Sequence, residues 1–189
     1  MPELVLVELD PVLGRAEPDP EIQDLLLASG GLNLGVDYLP GSLTFNPAAG
    51  WPPDAEFAAD VVWFDALVTN VDRTPQNPNL LAWHGALWLI DHGASLYFHH
   101  ADGDAAGHAR GPFPAIAEHV LLPFAGSIAG ADARLGPRVD DALLVDVAAA
   151  VPPEWLNGGG AQVYAEYLAG RLEEPRRFVD EAEAARGRP

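Results

Sequence analysis

Val68-Thr69-Asn70-Val71-Asp72-Arg73-Thr74-Pro75-Gln76-Asn77-Pro78-Asn79 runs directly into Leu80-Leu81-Ala82-Trp83-His84-Gly85-Ala86-Leu87-Trp88-Leu89-Ile90, and that into Asp91-His92-Gly93. Residues 70–79 are polar and carry prolines at 75 and 78, which excludes regular helix and predicts a fixed loop. Residues 80–83 and 86–90 are apolar and flank His84-Gly85, the pattern of a tight hairpin. A hairpin returns the chain to where it began, so Asp91 at its exit is expected beside the loop that entered it.

Two carboxylates, Asp72 and Asp91, and the amide oxygen of Asn77 would then converge. All are hard oxygen ligands suited to Mg²⁺. Phosphoryl transfer asks for such an arrangement: metal ions on the phosphates, an acid near the attacking oxygen, and rigid placement. Protein kinases meet it with an Asp and an Asn five residues apart on one loop and a second Asp after a short hairpin. Here Asp72 and Asn77 are five apart, and Asp91 lies nineteen residues after Asp72. Asp72 is the candidate base, and Asn77 and Asp91 are the candidate metal ligands.

Residues 68–79 followed by Trp88-Leu89-Ile90-Asp91-His92-Gly93 resemble the HipA-like kinases. Small actinobacterial members with an Asn-Val-Asp-Arg-Thr loop are the closest fit. More distantly the stretch is similar to phosphatidylinositol kinases. The resemblance implies ATP- and Mg²⁺-dependent phosphorylation of a protein serine or threonine, with the acceptor unidentified and a regulatory protein partner possible. It covers most of the chain loosely, and its specific part is residues 32–98. Two positions depart from the family pattern: Thr74 stands where a His often follows the catalytic Asp, and His92 replaces the aromatic of Asp-Phe-Gly.

Outward from this centre, residues 3–9 and 32–38 read as strands and residues 21–29 as a short helix stopped by Gly30-Gly31. Residues 11–20 and 46–53 read as loops. Asp54 is the expected N-cap of a helix reaching about Thr69, with Phe57, Val61, Phe64 and Val68 on one face. Residues 97–114 are expected to be loop, and residues 115–122, 139–150, 161–172 and 175–185 helical. Strands, then helix, polar loop, hairpin, acid and several helices is the element order of a kinase-like large lobe. The expected fold is therefore α+β, one HipA-like domain over residues 1–189. Residues 1–45 would be a remnant of the small lobe and its hinge, and Tyr38 and Leu39 would meet adenine there.

The half of a kinase that covers the phosphates is not legible. Every basic residue is arginine, so the usual phosphate-pairing lysine is absent, and no Gly-x-Gly-x-x-Gly loop occurs. Gly30-Gly31-Leu32-Asn33-Leu34-Gly35 has the wrong spacing and follows a helix. The expectation is a kinase whose small lobe is largely missing and whose transfer is weak, because phosphate-directed charge is a main source of rate. A catalytically inactive pseudokinase-like module, binding nucleotide or a partner, is the alternative. A metal-dependent phosphohydrolase using the same acids is a third class.

Composition bounds the rest. The net charge of −18 would repel a phosphate backbone, which argues against direct nucleic-acid binding. Nowhere does an apolar run approach the ~18 residues of a membrane span, and no basic region precedes the first apolar residues. There is no cysteine, so neither disulfides nor thiolate chemistry enter. The expected location is the cytoplasm, away from membranes. Asp65, inside Val61-Val62-Trp63-Phe64-Asp65-Ala66-Leu67-Val68, reads as a solvent-facing helix position, because a lone carboxylate does not bury. Arg73 reads as a salt-bridge partner and Asn79 as a loop brace. His92, His99, His100 and His108 match no zinc spacing.

Overall fold

The computed structural model describes residues 1–100, 105–156 and 160–188. The architecture is mixed α and β, with two small antiparallel sheets. Two compact units divide the chain: residues 1–43 with 80–90, and residues 44–79 with 91–189.

In the first unit, β1 (Leu4–Leu9) pairs with β2 (Gly31–Val36) in a register that sets Leu4 against Val36 and Leu9 against Gly31. Between them lies α1 (Pro20–Ala28), capped by the Asp19 carboxylate on the Glu21 amide. Residues 11–16, expected to be loop, form a 3₁₀ turn instead, because Asp10 caps it through the Val12 amide and Pro11 pre-sets its first residue. Gly31 takes φ +100°, the left-handed conformation that lets α1 stop and β2 begin at once. β3 (Leu43–Thr44) adds a strand beside the hairpin of β4 (Leu80–Trp83) and β5 (Ala86–Leu89). That hairpin stands where the sequence puts it. His84 and Gly85 have φ +50° and +78°, the paired positive values of a two-residue turn matching strand twist. Trp83 packs edge-on against Trp88, and its Nε1 donates to the Pro40 carbonyl at 2.9 Å.

The second unit is helical. α2 (Ala55–Leu67) starts where Asp54 Oδ1 accepts the Glu56 and Phe57 amides at 3.0 and 2.9 Å. Its buried residues are Ala58, Ala59, Val61, Val62, Trp63, Asp65, Ala66 and Leu67, whereas Phe64 is exposed. The expected 57-61-64-68 stripe is therefore not the inner face. The helix is covered over most of its circumference, and its periodicity carries no single direction. Trp63 Nε1 donates to Asp132 at 2.8 Å on α4 (Ile128–Leu135), and the Trp63 ring meets Phe178 of α7 (Arg177–Arg186) at 6.0 Å. Arg176 closes on the same Asp132 carboxylate with two bonds of 2.9 Å.

α5 (Asp141–Ala149) packs on α6 (Gly160–Leu172) through Leu144, Ala148 and Ala165. Arg171 of α6 is buried. It donates to the carbonyls of Ala66 at 2.8 Å and Ala109 at 3.2 Å, next to the C-terminal ends of α2 and of α3 (Ala105–Ala109).

Three further expectations fail. Residues 115–122 are not a continuous helix but two 3₁₀ turns, Pro114–Glu118 and Leu122–Phe124, and the run breaks at His119, whose backbone is extended. α4 falls in a stretch that the sequence reading left without an element, where Gly126, Gly130 and Gly136 lower helix propensity. The loop expected over residues 97–114 contains the Tyr97–His100 turn and α3, while residues 101–104 lie outside the described ones. Replacing the cap in Asp54→Ala should lower unfolding free energy by about 1 kcal/mol in urea titration, and a change within about 0.3 kcal/mol would count against the capping role.

Candidate functional site

The candidate residues Asp72, Asn77 and Asp91 all belong to the helical unit. The loop entered from α2 turns at Thr69, whose φ is +53°, and again at Asn79, φ +46°. Within it Thr74 and Asn77 exchange backbone bonds at 3.1 and 3.2 Å, a tight turn that brings residue 77 back over residue 72. Asn77 Nδ2 donates to Asp72 Oδ2 at 2.6 Å, and Asn79 Nδ2 to the same oxygen at 3.4 Å. The five-residue spacing thus brings the two side chains into direct contact. With its nitrogen on Asp72, Asn77 keeps Oδ1 for another partner.

Asp91 arrives by the route that the hairpin implies. Beyond it the chain runs back along the loop's entrance: Val71 N–H donates to the Ala94 carbonyl at 3.4 Å, Leu96 N–H to the Val68 carbonyl at 2.6 Å, and Tyr97 N–H to Thr69 Oγ1 at 3.2 Å. The Asp91 carboxylate is exposed, and its Oδ1 accepts the Gly93 amide at 3.2 Å. Asp91 itself has φ +45°, and Gly93 is not in the left-handed region. The sharp turn at this point is therefore made by the acid. Gly93 serves by being small, since a Cβ there would lie 3.2 Å from Asp91 Oδ1.

Tyr38 and Leu39 belong to the strand-bearing unit. Tyr38 is 81% exposed, whereas Leu39 is only 4% exposed.

What the sequence reading missed lies beneath the loop. Asp65 is not solvent-facing; it is fully buried and has three side-chain partners. Asn70 Nδ2 donates to Oδ1 at 3.0 Å, Arg73 Nε to Oδ2 at 2.5 Å, and His119 Nε2 lies 2.9 Å from Oδ2. His119 Nδ1 accepts the Leu121 amide at 3.1 Å, which assigns the ring proton to Nε2 and makes it the donor to Asp65. Arg73 is buried as well, paired as expected, and its Nη1 donates to the Asn79 carbonyl. Asn79 is a brace, as its position suggested.

Burial pushes the Asp65 carboxyl up, but the His119 hydrogen bond and the Arg73 charge outweigh it, and the pKa ends below the ordinary 3.8. The clue in the sequence was the pairing itself: a carboxylate inside an apolar helix, eight residues before an arginine in a chain with few basic residues.

His92 is half-buried against Phe64, rings 6.0 Å apart. Burial first and the Arg73 charge second lower its pKa below 6.5, against the raising effect of Asp65 and Asp91. Among the described residues no group of three or more His, Asp or Glu is placed to hold a metal ion, and the side chains of His99 and His100 lie outside that description. The Asp72 carboxylate is joined to Asn77, whereas the hydrogen bond of the Asp91 carboxylate goes to the Gly93 amide two residues on. No helix among the described residues is long and apolar enough to cross a membrane.

Asp65→Asn should cost about 3–5 kcal/mol in urea unfolding, because it leaves the Arg73 guanidinium buried without its counter-charge. Because the folded-state pKa of Asp65 is depressed, its contribution is complete above the unfolded value of about 3.9 and is lost as pH falls through the folded value. Stability of the native chain should therefore drop on acidification below about pH 4 more steeply than that of Asp65→Asn. Parallel acid limbs for the two proteins would refute the role. Comparison of the chain with protein-family models, curated proteins and solved structures finds no match.

Proposed function

We propose that this chain is a HipA-like kinase domain that transfers phosphate from Mg·ATP to a protein serine or threonine. The observation that carries the reading is the direct Asn77–Asp72 contact at 2.6 Å on a loop flanked by the hairpin exit that bears Asp91. Three oxygen-bearing side chains at kinase spacing, on one polar loop and the end of one hairpin, fit phosphoryl transfer better than structural turn chemistry does.

In this reading Asp72 takes the acceptor hydroxyl's proton. Asn77 and Asp91 hold the metal, with Asn77 using the amide oxygen left available by its bond to Asp72. Mg²⁺, when bound, neutralises charge on the nucleotide phosphates and aligns them. The buried Asp65 and Arg73 keep the loop rigid while the acceptor is positioned. The protein-kinase-like fold belongs to the same proposal, with the helical unit as the large lobe.

The absence of lysine favours a second reading. Without the cation that pairs with the phosphates, the site would bind nucleotide and turn it over slowly or not at all, as a pseudokinase-like module. Both readings require Asp91 for Mg·ATP. Calorimetric titration should show Mg·ATP binding to the native chain and at least about tenfold weaker binding to Asp91→Ala. Equal affinities would remove Asp91 from the metal site. Phosphate transfer to a protein acceptor distinguishes the active kinase from the binding module.

A further inference from the structure

Residues 70–79 have no helix or sheet ladder to fix them, yet Asp72 is held on both sides, through its backbone amide on one and its carboxylate on the other. On one side Asn70 Oδ1 accepts the Asp72 amide at 3.2 Å, while Asn70 Nδ2 donates to Asp65 Oδ1 at 3.0 Å. On the other side Asn79 Nδ2 donates to Asp72 Oδ2, and the Asn79 carbonyl accepts from Arg73, whose Nε ends on Asp65 Oδ2. Both arms start at Asp72 and finish on the two oxygens of one buried carboxylate.

A third element closes the ring. Val120 N–H donates to the Arg73 carbonyl at 2.9 Å, next to His119 on Asp65.

We propose that Asp65 is a positioning residue of the Asp72 site, fixing the base through Asn70 on one side and through Arg73 and Asn79 on the other. The inference rests on reading Asp72 as the reactive group. Its physical basis is the cost of leaving a buried ion unpaired. If the loop shifts, either the Asp65 carboxylate or the Arg73 guanidinium loses its partner in the buried interior, so displaced loop conformers are depleted. Hydrogen bonds in that low-dielectric setting also reinforce one another along each arm. Small misplacements of a reacting group cost large factors in rate, so rigidity at Asp72 is what such a hub supplies.

Nuclear magnetic resonance of the full chain tests this without requiring turnover. In Asp65→Asn, the Asp72 amide should exchange with solvent about tenfold faster than the acceleration shared by the whole chain, and the side-chain amide signals of Asn77 and Asn79 should shift. The amides of Val62 and Ala66 in α2 should not exceed the uniform acceleration expected from lost global stability. Asn70→Ala cuts one arm and leaves the Asp65–Arg73 pair, so it serves if Asp65→Asn does not fold. Its readout is the Asn79 side-chain amide and the Asp72 carboxyl carbon signal, neither of which touches residue 70 directly.

Unchanged loop signals in both variants would overturn the proposal. So would acceleration in Asp65→Asn that is equal at Asp72, Val62 and Ala66, since that reports stability alone. Where transfer from ATP is measured, Asp65→Asn should lower kcat, leave KM for ATP within about threefold, and add nothing to the loss in Asp72→Asn. Failure of the kinase reading shows itself separately, as absence of Mg·ATP binding to the native chain, and leaves the resonance result standing.

Discussion

A carboxylate with no solvent contact has to be compensated in place, and in this protein that requirement organises the region around the candidate site. Asp65 sits in the middle of α2 and is ionised despite its burial, because His119 and Arg73 favour the charged form more than burial opposes it. With its partners it ties together three separate stretches: its own helix, the polar loop that carries Asn70 and Arg73, and the turn at residues 119–121 that carries His119. None of these stretches can move alone without leaving an ion or a donor unpaired in the interior, so the loop inherits the rigidity of the helix.

The second constraint is local and steric. Thr69, Asn79, His84 and Asp91 are non-glycine residues in the left-handed region, and each stands at a place where the chain reverses or changes direction. Asn and Asp accept that conformation more readily than most residues because their short polar side chains satisfy nearby backbone groups. Asp91 illustrates it by accepting the Gly93 amide. The loop, the hairpin and the returning segment at residues 94–97 follow from these reversals, and the bonds from 68–71 to 94–97 hold the return in place.

Legibility differed sharply between these two constraints. The loop at 70–79, the hairpin with its His84-Gly85 turn, the Asp54 cap, and the helices at Asp141–Ala149, Gly160–Leu172 and Arg177–Arg186 follow from neighbouring residues and appear close to where the pattern places them. The nearness of Asn77 to Asp72 was also legible, because a turn closes over five residues, but the hydrogen bond between them was not. α4 was not, since Gly130 within it and Gly126 and Gly136 beside it weaken the helical pattern, and its N-terminus is held by Glu183 of α7 through the Ile128 and Ala129 amides. Asp65 was misread for the same kind of reason. Its burial depends on Arg73, eight residues on, and on His119, fifty-four residues on, and no window of helical periodicity contains either.

The amino-acid sequence by itself determined the α and β mixture, the polar loop, the hairpin and the nearness of Asp72 to Asn77, because each is settled by sterics and hydrogen bonds within a few residues. Tertiary structure alone decided which face of α2 is inward, that Asp65 is an interior ion and not a surface one, and that His119 joins it. Those outcomes turn on which distant donors reach a buried carboxylate, and the free energy of burying a charge is set by its partners, not by its place in the chain.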